Sequence, residues 1–461
     1  MSIQPEARIH YIPASESKKT YKNSRTVPAY VLYWMQTSIR ASNNHALEYA
    51  IETANQKKLP LAVIYVSPDF IAGAQEISRQ DIFLQQGLRQ TAEILRNRNI
   101  SLFSLVSNNP AQTIMLLAQQ AAAVIGDFGY LDYHRRQRNM FAQDCFCPSF
   151  WVESNVCVPI TQAYHKEAFS ARILRPAIHS KLEHFLTLPQ EKTLHCTSRP
   201  ELPDIANIEY LSQEQAEQST PPNASNDMYF FGGEIEAQKS WQFFLEHTLD
   251  RFHLDRNDPA LEGSSKLSPY LRFGMISPIQ MALDAREYGK SEGVDTLWEE
   301  LIIRRELSFN FTHYNPNYRK FSCLPAWAQN SLLEHSNDPR EFIYSQEQLE
   351  NAQTHDAYWN AAQNQLSRSG WMHGYMRMYW GKKVIEWTTS PQEAWNILIK
   401  LNDRWELDGN SSNGYAGIAW CFGKHDRAWK ERSIFGKIRY MNEAGLRRKF
   451  DINTYAARWT N

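Results

Sequence analysis

The first third of the chain alternates short apolar runs with amphipathic segments, and this alternation restricts the possible folds more than any other feature. Two of the runs, VPAYVLYWM (27–35) and LPLAVIYV (59–66), are apolar or aromatic throughout instead of at every second position. Such strands are buried on both faces, as in a parallel sheet covered by helices. Amphipathic segments at 45–58 and 80–99 follow them. We therefore predict an α/β domain with a doubly wound, Rossmann-like parallel sheet.

The second half of the chain has no such runs and is dominated by helical patterns. Its apolar positions recur at helical spacing in SWQFFLEHTLDRF, SPIQMALDAREYG, DTLWEELIIRRELSFNF and SPQEAWNILIKLNDRW. Before it, residues 197–226 are polar and contain four prolines, which is typical of a linker. We predict a loose N-terminal arm (1–26), the α/β domain (27–190), a linker (191–226) and an all-α domain (227–461).

Cysteine usage and hydropathy indicate the compartment. The six cysteines are scattered, and the N-terminal MSIQPEARIHYIP lacks the apolar core of a signal peptide, so we expect reduced thiols and a cytoplasmic protein. No run approaches about 18 apolar residues, so we expect no membrane span. Cys145 and Cys147 lack the spacing of a zinc motif and a second pair, so we expect no metal.

The stretch GWMHGYMRMYWGKKVIEW (370–387) contains three of the 14 tryptophans. Trp380 and Trp387 are seven residues apart, so on a helix they lie on nearly the same face. Trp359 belongs to the preceding helical segment and could pack near both. Indoles in this arrangement suit core packing, which the pattern alone favours, and they also suit electron hopping.

The segment LEGSSKLSPYLRFG (261–274) contains a potential phosphate site. Ser268 precedes a proline and is a good N-cap, and Ser264 and Ser265 lie just before it. Hydroxyls and free N–H groups at a helix start can bind phosphate, although most Ser-Pro pairs only begin helices.

Two further segments place charge among apolar residues. In LWEELIIRRELSFNF (297–311), Glu300 and Arg304 are four residues apart, either facing a ligand or forming a surface ion pair. The turn-rich DGNSSNG (408–414) follows a helix, and its Asp408 could pair with Arg377, which suggests a polar heterocycle as ligand.

A basic segment lies near the C-terminus. Between Lys424 and Lys449 there are nine Lys or Arg residues against three acids, interleaved with Trp429, Phe435 and Tyr440. This composition suits a phosphate backbone and stacked bases, and the alternative is a solvated helix face.

Taken together, these segments resemble the photolyase–cryptochrome family, and within it the class II cyclobutane pyrimidine dimer (CPD) DNA photolyases. The matching residues are RNDPALEGSSKLSPYLRFGMIS, EELIIRREL, GYMRMYWGKKVIEW and LDGNSSNGYAGIAWCFGKHDRAWKERSIFGKIRYMN, in the family's order. The first half agrees more loosely, through YVLYWMQTSIRASNNHAL and FSARILRPAIHSKL. The resemblance implies an α/β antenna domain and a helical domain that binds FAD and DNA.

The resemblance also implies an activity. Members of the class are carbon–carbon lyases that repair CPDs by light-driven electron transfer from reduced, anionic FAD to a flipped-out lesion. An antenna chromophore, either a deazaflavin or a folate, is possible, as is none. The implied partner is duplex DNA that contains CPDs. We expect a monomer, without membrane or metal, associated with the nucleoid if the cell is prokaryotic.

Site residues follow from the resemblance. It implies catalytic roles for Glu300 at the dimer's carbonyl edge, Asn402 near flavin N5, and Arg377 with Asp408 beside the flavin ring. The implied electron-transfer chain is Trp380, Trp359 and Trp387, extended by Tyr344. The implied FAD-binding residues are Phe252, Ser264, Ser265, Lys266, Leu267, Ser268, Arg377, Asn402, Asp408, Gly409 and Asn413. The implied DNA- and lesion-binding residues are Arg256, Asn257, Arg304, Tyr375, Met378, Trp420, Arg427, Trp429, Arg439 and Arg447.

Two positions depart from the family pattern. Phe252 stands where a Tyr is common near the FAD phosphates, and Arg304 is near a position that carries a lesion-stacking Trp in other classes. Two alternatives stay open: a cryptochrome-type blue-light sensor of the same family, and a flavin-free protein that binds single-stranded nucleic acid through aromatic platforms.

Overall fold

The computed structural model describes residues 5–14, 27–68, 78–203, 208–210 and 229–460. The chain forms two compact units, and each is assembled from three separate segments. The first unit comprises Met1–Gln162, Lys181–Lys239 and Pro269–Asp284. The second comprises Ala163–Ser180, Ser240–Ser268 and Ala285–Asn461.

The first unit is organised around a seven-stranded sheet of order β1-β6-β5-β2-β3-β4-β7. The strands are β1 (Ile9–Ile12), β2 (Tyr30–Met35), β3 (Leu61–Pro68), β4 (Ser101–Ser107), β5 (Ala121–Asp127), β6 (Ser149–Val152) and β7 (Ile208–Tyr210). The five strands from β6 to β4 are parallel, and the edge strands β1 and β7 pair antiparallel with β6 and β4. The predicted parallel sheet is confirmed.

Burial on both faces explains the continuous apolar runs. All six residues of β2 are buried, and Leu32 is paired with Ala62 on one side and Val124 on the other. Gly126 of β5 is required by packing, because a Cβ there would lie 2.6 Å from the ring of Trp151.

The helices that follow the parallel strands are α1 (His45–Lys57), α2 (Arg79–Asn97), α3 (Pro110–Ala118) and α4 (Asp132–Asp144). The first three begin at side-chain caps, whose oxygens accept backbone N–H groups of the first turn: Asn44, Ser78 and Asn109. In α2, Ser78 and Asp81 cap each other reciprocally, which satisfies two otherwise free backbone donors.

One buried carboxylate fixes the point at which the strand order reverses. The central strand β2 lies between β3 and β5, so the carboxyl ends of β2 and β5 are adjacent. Asp127, at the end of β5, accepts hydrogen bonds from the backbone N–H groups of residues 36–38 at 2.8–2.9 Å. It also accepts one from the Tyr33 hydroxyl at 2.9 Å. The loop after β2 is therefore held by a charge-assisted set of four hydrogen bonds.

The predicted loose arm is corrected over its described part. Residues Pro5–Arg8 form a 3-10 helix, and β1 then pairs with β6. The buried guanidinium of Arg8 donates to four carbonyls, those of Glu153, Val156, Cys157 and Phe185. These hydrogen bonds anchor the segment. They could not be predicted from its polar sequence, because their acceptors lie far away along the chain. Residues 15–26 of the predicted arm lie outside the described residues.

The predicted linker also contains structure, because β7 lies within it and pairs with β4. Residues 204–207 and 211–226 of the linker lie outside the described residues. The predicted domain boundaries at residues 190 and 227 differ from the observed ones. The chain passes from one unit to the other at five points, and each of them lies within a helix. These helices are α5 (Ile160–Ala163), α6 (Ala171–Phe185), α7 (Glu234–His247), α9 (Ser268–Phe273) and α10 (Pro278–Tyr288).

The second unit is helical, as predicted. Its further helices are α8 (Phe252–Asp255), α11 (Glu292–Trp298), α12 (Arg305–Tyr314), α13 (Ala326–Glu334), α14 (Gln346–Glu350), α15 (Ala357–Ser369), α16 (Gly374–Trp387), α17 (Pro391–Trp405), α18 (Ser412–Cys421), α19 (Glu443–Lys449) and α20 (Ile452–Trp459). A π-helical turn, Glu299–Arg304, joins α11 to α12. Helix α16 packs against α15, α17 and α18.

All six cysteines are free thiols. Within the described ranges, no helix combines the length and the apolar content needed to cross a bilayer. In the same part of the chain, no group of three or more His, Cys, Asp or Glu residues is arranged to hold a metal ion.

Replacing Asp127 with Ala is expected to lower the free energy of unfolding by about 4 kcal/mol, because three backbone donors and a buried hydroxyl lose their charged acceptor. Urea denaturation followed by circular dichroism measures the change. Glu93→Ala, at an exposed position of α2, is the control and should stay within about 0.5 kcal/mol of the parent. A loss below about 1 kcal/mol in Asp127→Ala would contradict the assigned role.

Candidate active site

The tryptophans of α15 and α16 form a continuous ring stack. Trp359, Trp380 and Trp387 are all buried, with 0%, 3% and 2% of their surface exposed. The Trp359 and Trp380 rings are stacked with centroids 6.4 Å apart, and Trp387 meets Trp359 edge-on at 5.7 Å. Both spacings fall in the range of favourable aromatic pairs. The half-exposed Tyr344 extends the series, its ring 5.4 Å from Trp387.

Hydrogen bonds fix the orientation of these rings. The indole N–H of Trp359 donates to the carbonyl of Trp380 at 3.0 Å, and that of Trp380 donates to the amide oxygen of Gln363 at 2.9 Å. Asp356 caps α15 by accepting the N–H groups of Tyr358 and Trp359, and its other oxygen accepts the hydroxyl of Tyr379 in α16. One carboxylate therefore ties the two tryptophan-bearing helices together.

A cavity of about 940 Å³ opens beside α16 within the second unit. It brings together ten of the predicted site residues: Arg256, Asn257, Glu300, Arg304, Tyr375, Met378, Asn413, Trp420, Trp429 and Arg439. Further lining residues that sequence reasoning did not single out for this pocket include Arg305, His425, Lys430, Arg432, Tyr440 and Lys449. The wall combines aromatic faces with cations, and it is large enough for a drug-sized ligand.

Aromatic and cationic groups alternate along one side of the cavity. The guanidinium of Arg439 lies 5.1 Å from the Trp420 ring and 4.3 Å from the Trp429 ring. Asp426 accepts from both Arg439 Nε and the Trp429 indole, each at 3.2 Å, and so holds the stack together. Arg427 lies on Trp429 at 5.2 Å but does not line the cavity. Such a stack offers flat faces to bases and positive charge to phosphates.

The charged residues of the 297–311 segment form other ion pairs than the four-residue helical spacing predicts. Glu300 bonds to Arg256 at 3.0 Å, and Arg304 bonds to the neighbouring Glu299 at 2.9 Å. Arg175 also binds Glu299, at 2.7 Å. These arginines together lower the pKa of Glu299 against the opposing effect of burial. The π-helical turn explains the difference, because it changes the angular spacing on which a four-residue pair depends.

Arg377 is held by two buried carboxylates. Its Nη2 lies 3.2 Å from Asp408 and 2.8 Å from Glu406. Burial, together with the nearby charge of Asp408, raises the pKa of Glu406 well above its usual range although Arg377 opposes this. One cation thus faces two carboxyl groups, and this arrangement favours a proton on one of them, Glu406. Sequence reasoning missed Glu406, since WELDGN contains two acids and nothing in the spacing distinguishes their partners.

Asn402 and Asn413 lie at the meeting of α17 and α18. A Cβ on Gly414 would come 3.1 Å from the Asn402 amide, a tight contact, so glycine favours the close approach of the two helices. Asn402 is buried and donates to Asp403 at 3.0 Å. The N–H of Gly409 donates to the carbonyl of Glu406 at 3.0 Å, which closes the turn after α17.

The loop Ser264–Ser268 holds a buried hydroxyl, that of Ser268, without a partner in the described part of the protein, and a lysine, Lys266, whose ammonium pairs with Glu262. Lys266 adopts the left-handed region with a φ of 53°, and its ammonium lies 5.8 Å from the Trp371 ring. The Ser268 hydroxyl oxygen is buried and has no partner among the described protein atoms. Phe252 is buried edge-on against Phe244 at 5.3 Å and offers no polar group. A buried hydroxyl without a protein partner fits a ligand with hydrogen-bond acceptors, such as a phosphate.

Two lining residues carry chemistry that the sequence did not reveal. The ring of His425 bonds through Nδ1 to the carbonyl of Phe169 at 2.9 Å, and burial lowers its pKa to about 4, so it is neutral at physiological pH. Lys449 bonds to the Tyr375 hydroxyl at 3.0 Å and thereby orients that wall residue. Arg447, in contrast, pairs with Glu443 and does not line the cavity.

The sequence is similar to characterised proteins over nearly its whole length. It is 46% identical over 430 residues to the deoxyribodipyrimidine photo-lyase of Methanothermobacter thermautotrophicus, covering 93% of this chain and 94% of that one. It is 37% identical to the protein of that name from Arabidopsis thaliana, covering 92% and 88% of the two chains. The sequence model of the DNA photolyase family matches residues 31–196.

Solved structures share the fold. A class III photolyase from Agrobacterium tumefaciens superposes with a TM-score of 0.68 at 18% identity, covering 95% of this chain and 87% of that one. A cryptochrome from Synechocystis gives 0.70 at 17% identity, covering 94% and 89%. The structural likeness agrees with the sequence identity, and this chain belongs to the photolyase/cryptochrome family.

Proposed function

We propose that this protein is a light-driven DNA repair enzyme, a deoxyribodipyrimidine photo-lyase of class II that splits CPDs in duplex DNA. The observation that supports this most is the cavity that is lined by both the Trp420–Arg439–Trp429 stack and the Arg256–Glu300 pair. The cavity offers aromatic surface, a carboxylate and an excess of cations, which together match a pair of bases with their phosphate backbone.

FAD is the proposed cofactor, and its bound reduced anion supplies the excited-state electron that splits the dimer. The residues proposed to hold it are Ser264–Ser268 at the phosphates, with Arg377, Asn402, Asp408, Gly409 and Asn413 at the ring system and Phe252 as an apolar neighbour. The unsatisfied Ser268 hydroxyl and the left-handed Lys266 support the phosphate assignment. Arg377 is held in place by Asp408 and Glu406, so its guanidinium has a fixed position beside the proposed ring site. A deazaflavin or a folate as antenna stays a prediction.

The lesion is proposed to enter the cavity as a flipped-out dinucleotide. Trp420, Tyr375 and Met378 supply apolar and aromatic wall, so a dimer that leaves the base stack exchanges one set of packing contacts for another. Glu300 is proposed to meet its carbonyl edge, and the ion pair with Arg256 keeps that carboxylate in the cavity. Arg256 and Asn257 are proposed to contact the strand around the extruded bases.

The function is tested by illuminating the protein, with its flavin chemically reduced, in the presence of an oligonucleotide that contains one thymine dimer. Restored thymines are counted by chromatography, and a dark sample is the control. Light-dependent restoration is expected. Bound flavin without restoration would favour a light sensor of the same family, and a colourless protein without releasable flavin would favour a simple nucleic-acid-binding protein.

Trp380→Phe is expected to slow light-driven reduction of oxidised flavin by at least about a hundredfold, while repair by pre-reduced enzyme continues. Phenylalanine preserves the packing but is much harder to oxidise than indole, so the ring stack loses its innermost electron donor. Absorption spectra during illumination measure the rate. Trp395→Phe is the matched control, because Trp395 is buried, lies outside the stack and, like Trp380, donates one indole hydrogen bond, to the carbonyl of Arg319 at 3.0 Å. If flavin is photoreduced in Trp380→Phe at the parent rate, the electron-transfer role is wrong and the tryptophans serve only to pack the core.

Removing two exposed cations of the cavity rim should weaken DNA binding without regard to sequence. Lys430 and Arg432 both line the cavity and are exposed, so we expect the double alanine variant to lower affinity for damaged and undamaged duplex alike. The slope of log affinity against log salt should fall by about two units, one per lost phosphate contact. Lys290→Ala, exposed and outside the cavity lining, is the control. An unchanged salt slope would show that Lys430 and Arg432 do not contact DNA phosphates and that the basic segment is only a solvated surface.

A further inference from the structure

The outer end of the ring stack carries a hydrogen-bonded tyrosine and histidine. The hydroxyl oxygen of Tyr344 lies 2.7 Å from Nδ1 of His355, and it also accepts the backbone N–H of His355 at 3.0 Å. The His355 ring is 5.2 Å from Trp387 and stacks on Phe342 at 3.8 Å. The N–H of Tyr344 donates to the carbonyl of Trp387 at 3.1 Å, so the two elements are also joined through the backbone.

The backbone donor at the hydroxyl favours one direction of the bond. Because the backbone N–H already points at the Tyr344 oxygen, the phenolic hydrogen is free to donate to the imidazole nitrogen. In this arrangement Nδ1 is the acceptor, which corresponds to the imidazole tautomer with its hydrogen on Nε2. A base thus lies at hydrogen-bond distance from the phenolic proton, the geometry that general base catalysis requires.

We infer that His355 is the proton acceptor that makes Tyr344 the terminal electron donor of the ring stack. The inference rests on the proposed electron chain, in which light and oxidised flavin, as the electron acceptor, leave Trp387 short of one electron. Tyr344 gives one electron to Trp387, its O–H bond breaks, and an N–H bond forms at His355 Nδ1. The products are neutral Trp387, a neutral tyrosyl radical and an imidazolium, which releases a proton from Nε2 to water. A small thiol later returns one electron and one proton.

The surroundings favour moving the positive charge outward. Trp387 is only 2% exposed, so a cation on its indole has little contact with water, and the Lys383 ammonium 5.2 Å from the ring is already paired with Glu386. A neutral tyrosyl radical has no such cost. Trp387 is buried, whereas Tyr344 is half-buried and His355 is exposed, so the proton has a direct exit to solvent and a thiol can reach the radical.

The test follows radicals instead of repair. Flavin-loaded protein is flashed with light while transient absorption and electron paramagnetic resonance distinguish tryptophan from tyrosyl radicals. We expect a tyrosyl radical in the parent, and a radical confined to tryptophan in Tyr344→Phe. His355→Phe keeps a stacked ring without a base and should slow tyrosyl formation on the order of a hundredfold. His355→Ala should be equally slow and be restored by added imidazole, whereas imidazole should not affect Tyr344→Phe.

Two results would overturn the inference: a parent protein whose radical stays on tryptophan, or a His355 variant that forms the tyrosyl radical at the parent rate. A parent protein that forms no tryptophan radical at all contradicts the proposed electron chain instead. In that case an external photo-oxidant is applied to the same samples, and the Tyr344→Phe difference spectrum isolates the relevant signal. The inference then stands if tyrosyl formation still depends on His355 and falls if it does not.

Discussion

The hydrogen bonds of Asp356 determine much of the geometry in the second unit. One of its oxygens begins α15, and the other binds a hydroxyl of α16, so the carboxylate specifies both where one helix starts and how its neighbour is placed. The stacked rings of Trp359 and Trp380 follow from that constraint, as does the direction of the Trp359 indole toward the backbone of α16. Burial makes the bond stronger than it would be in water, since no solvent competes for the carboxylate.

Helix α16 carries two cations, Arg377 and Lys382, in surroundings where burial shifts the pKa of titratable groups. Arg377 faces two acids, and burial raises the pKa of Glu406, so the site favours retaining a proton between them. Burial lowers the pKa of Lys382, also on α16, to about 8, and its ammonium donates to the Cys421 carbonyl of α18 and lies 5.9 Å from the Trp420 ring. Both groups are poised so that a charged ligand nearby would change their protonation.

Sequence reasoning recovered the parts of the molecule that a regular pattern encodes. The fully apolar runs of β2 and β3 predicted a sheet buried on both faces, because periodicity reports burial directly. Partner choice could not be predicted in the same way. Glu300 and Arg304 were expected to lie on one helix face because they are four residues apart. In the structure this segment is a π-helical turn, and Glu300 pairs with Arg256 instead. Glu406 and His355 are single residues whose roles depend on contacts with distant segments, and no local signal marks either of them.

The interleaving of the two units has a consequence for synthesis on the ribosome. The first unit needs the segment Pro269–Asp284, so its last piece emerges only after the chain has already begun the second unit. Residues Ala163–Ser180 belong to the second unit and wait for partners made much later, such as Glu299, which binds Arg175, and Lys424, which binds Glu167. Neither unit can therefore complete its core while the chain is half made, and the nascent polypeptide keeps apolar surface exposed until translation is nearly finished.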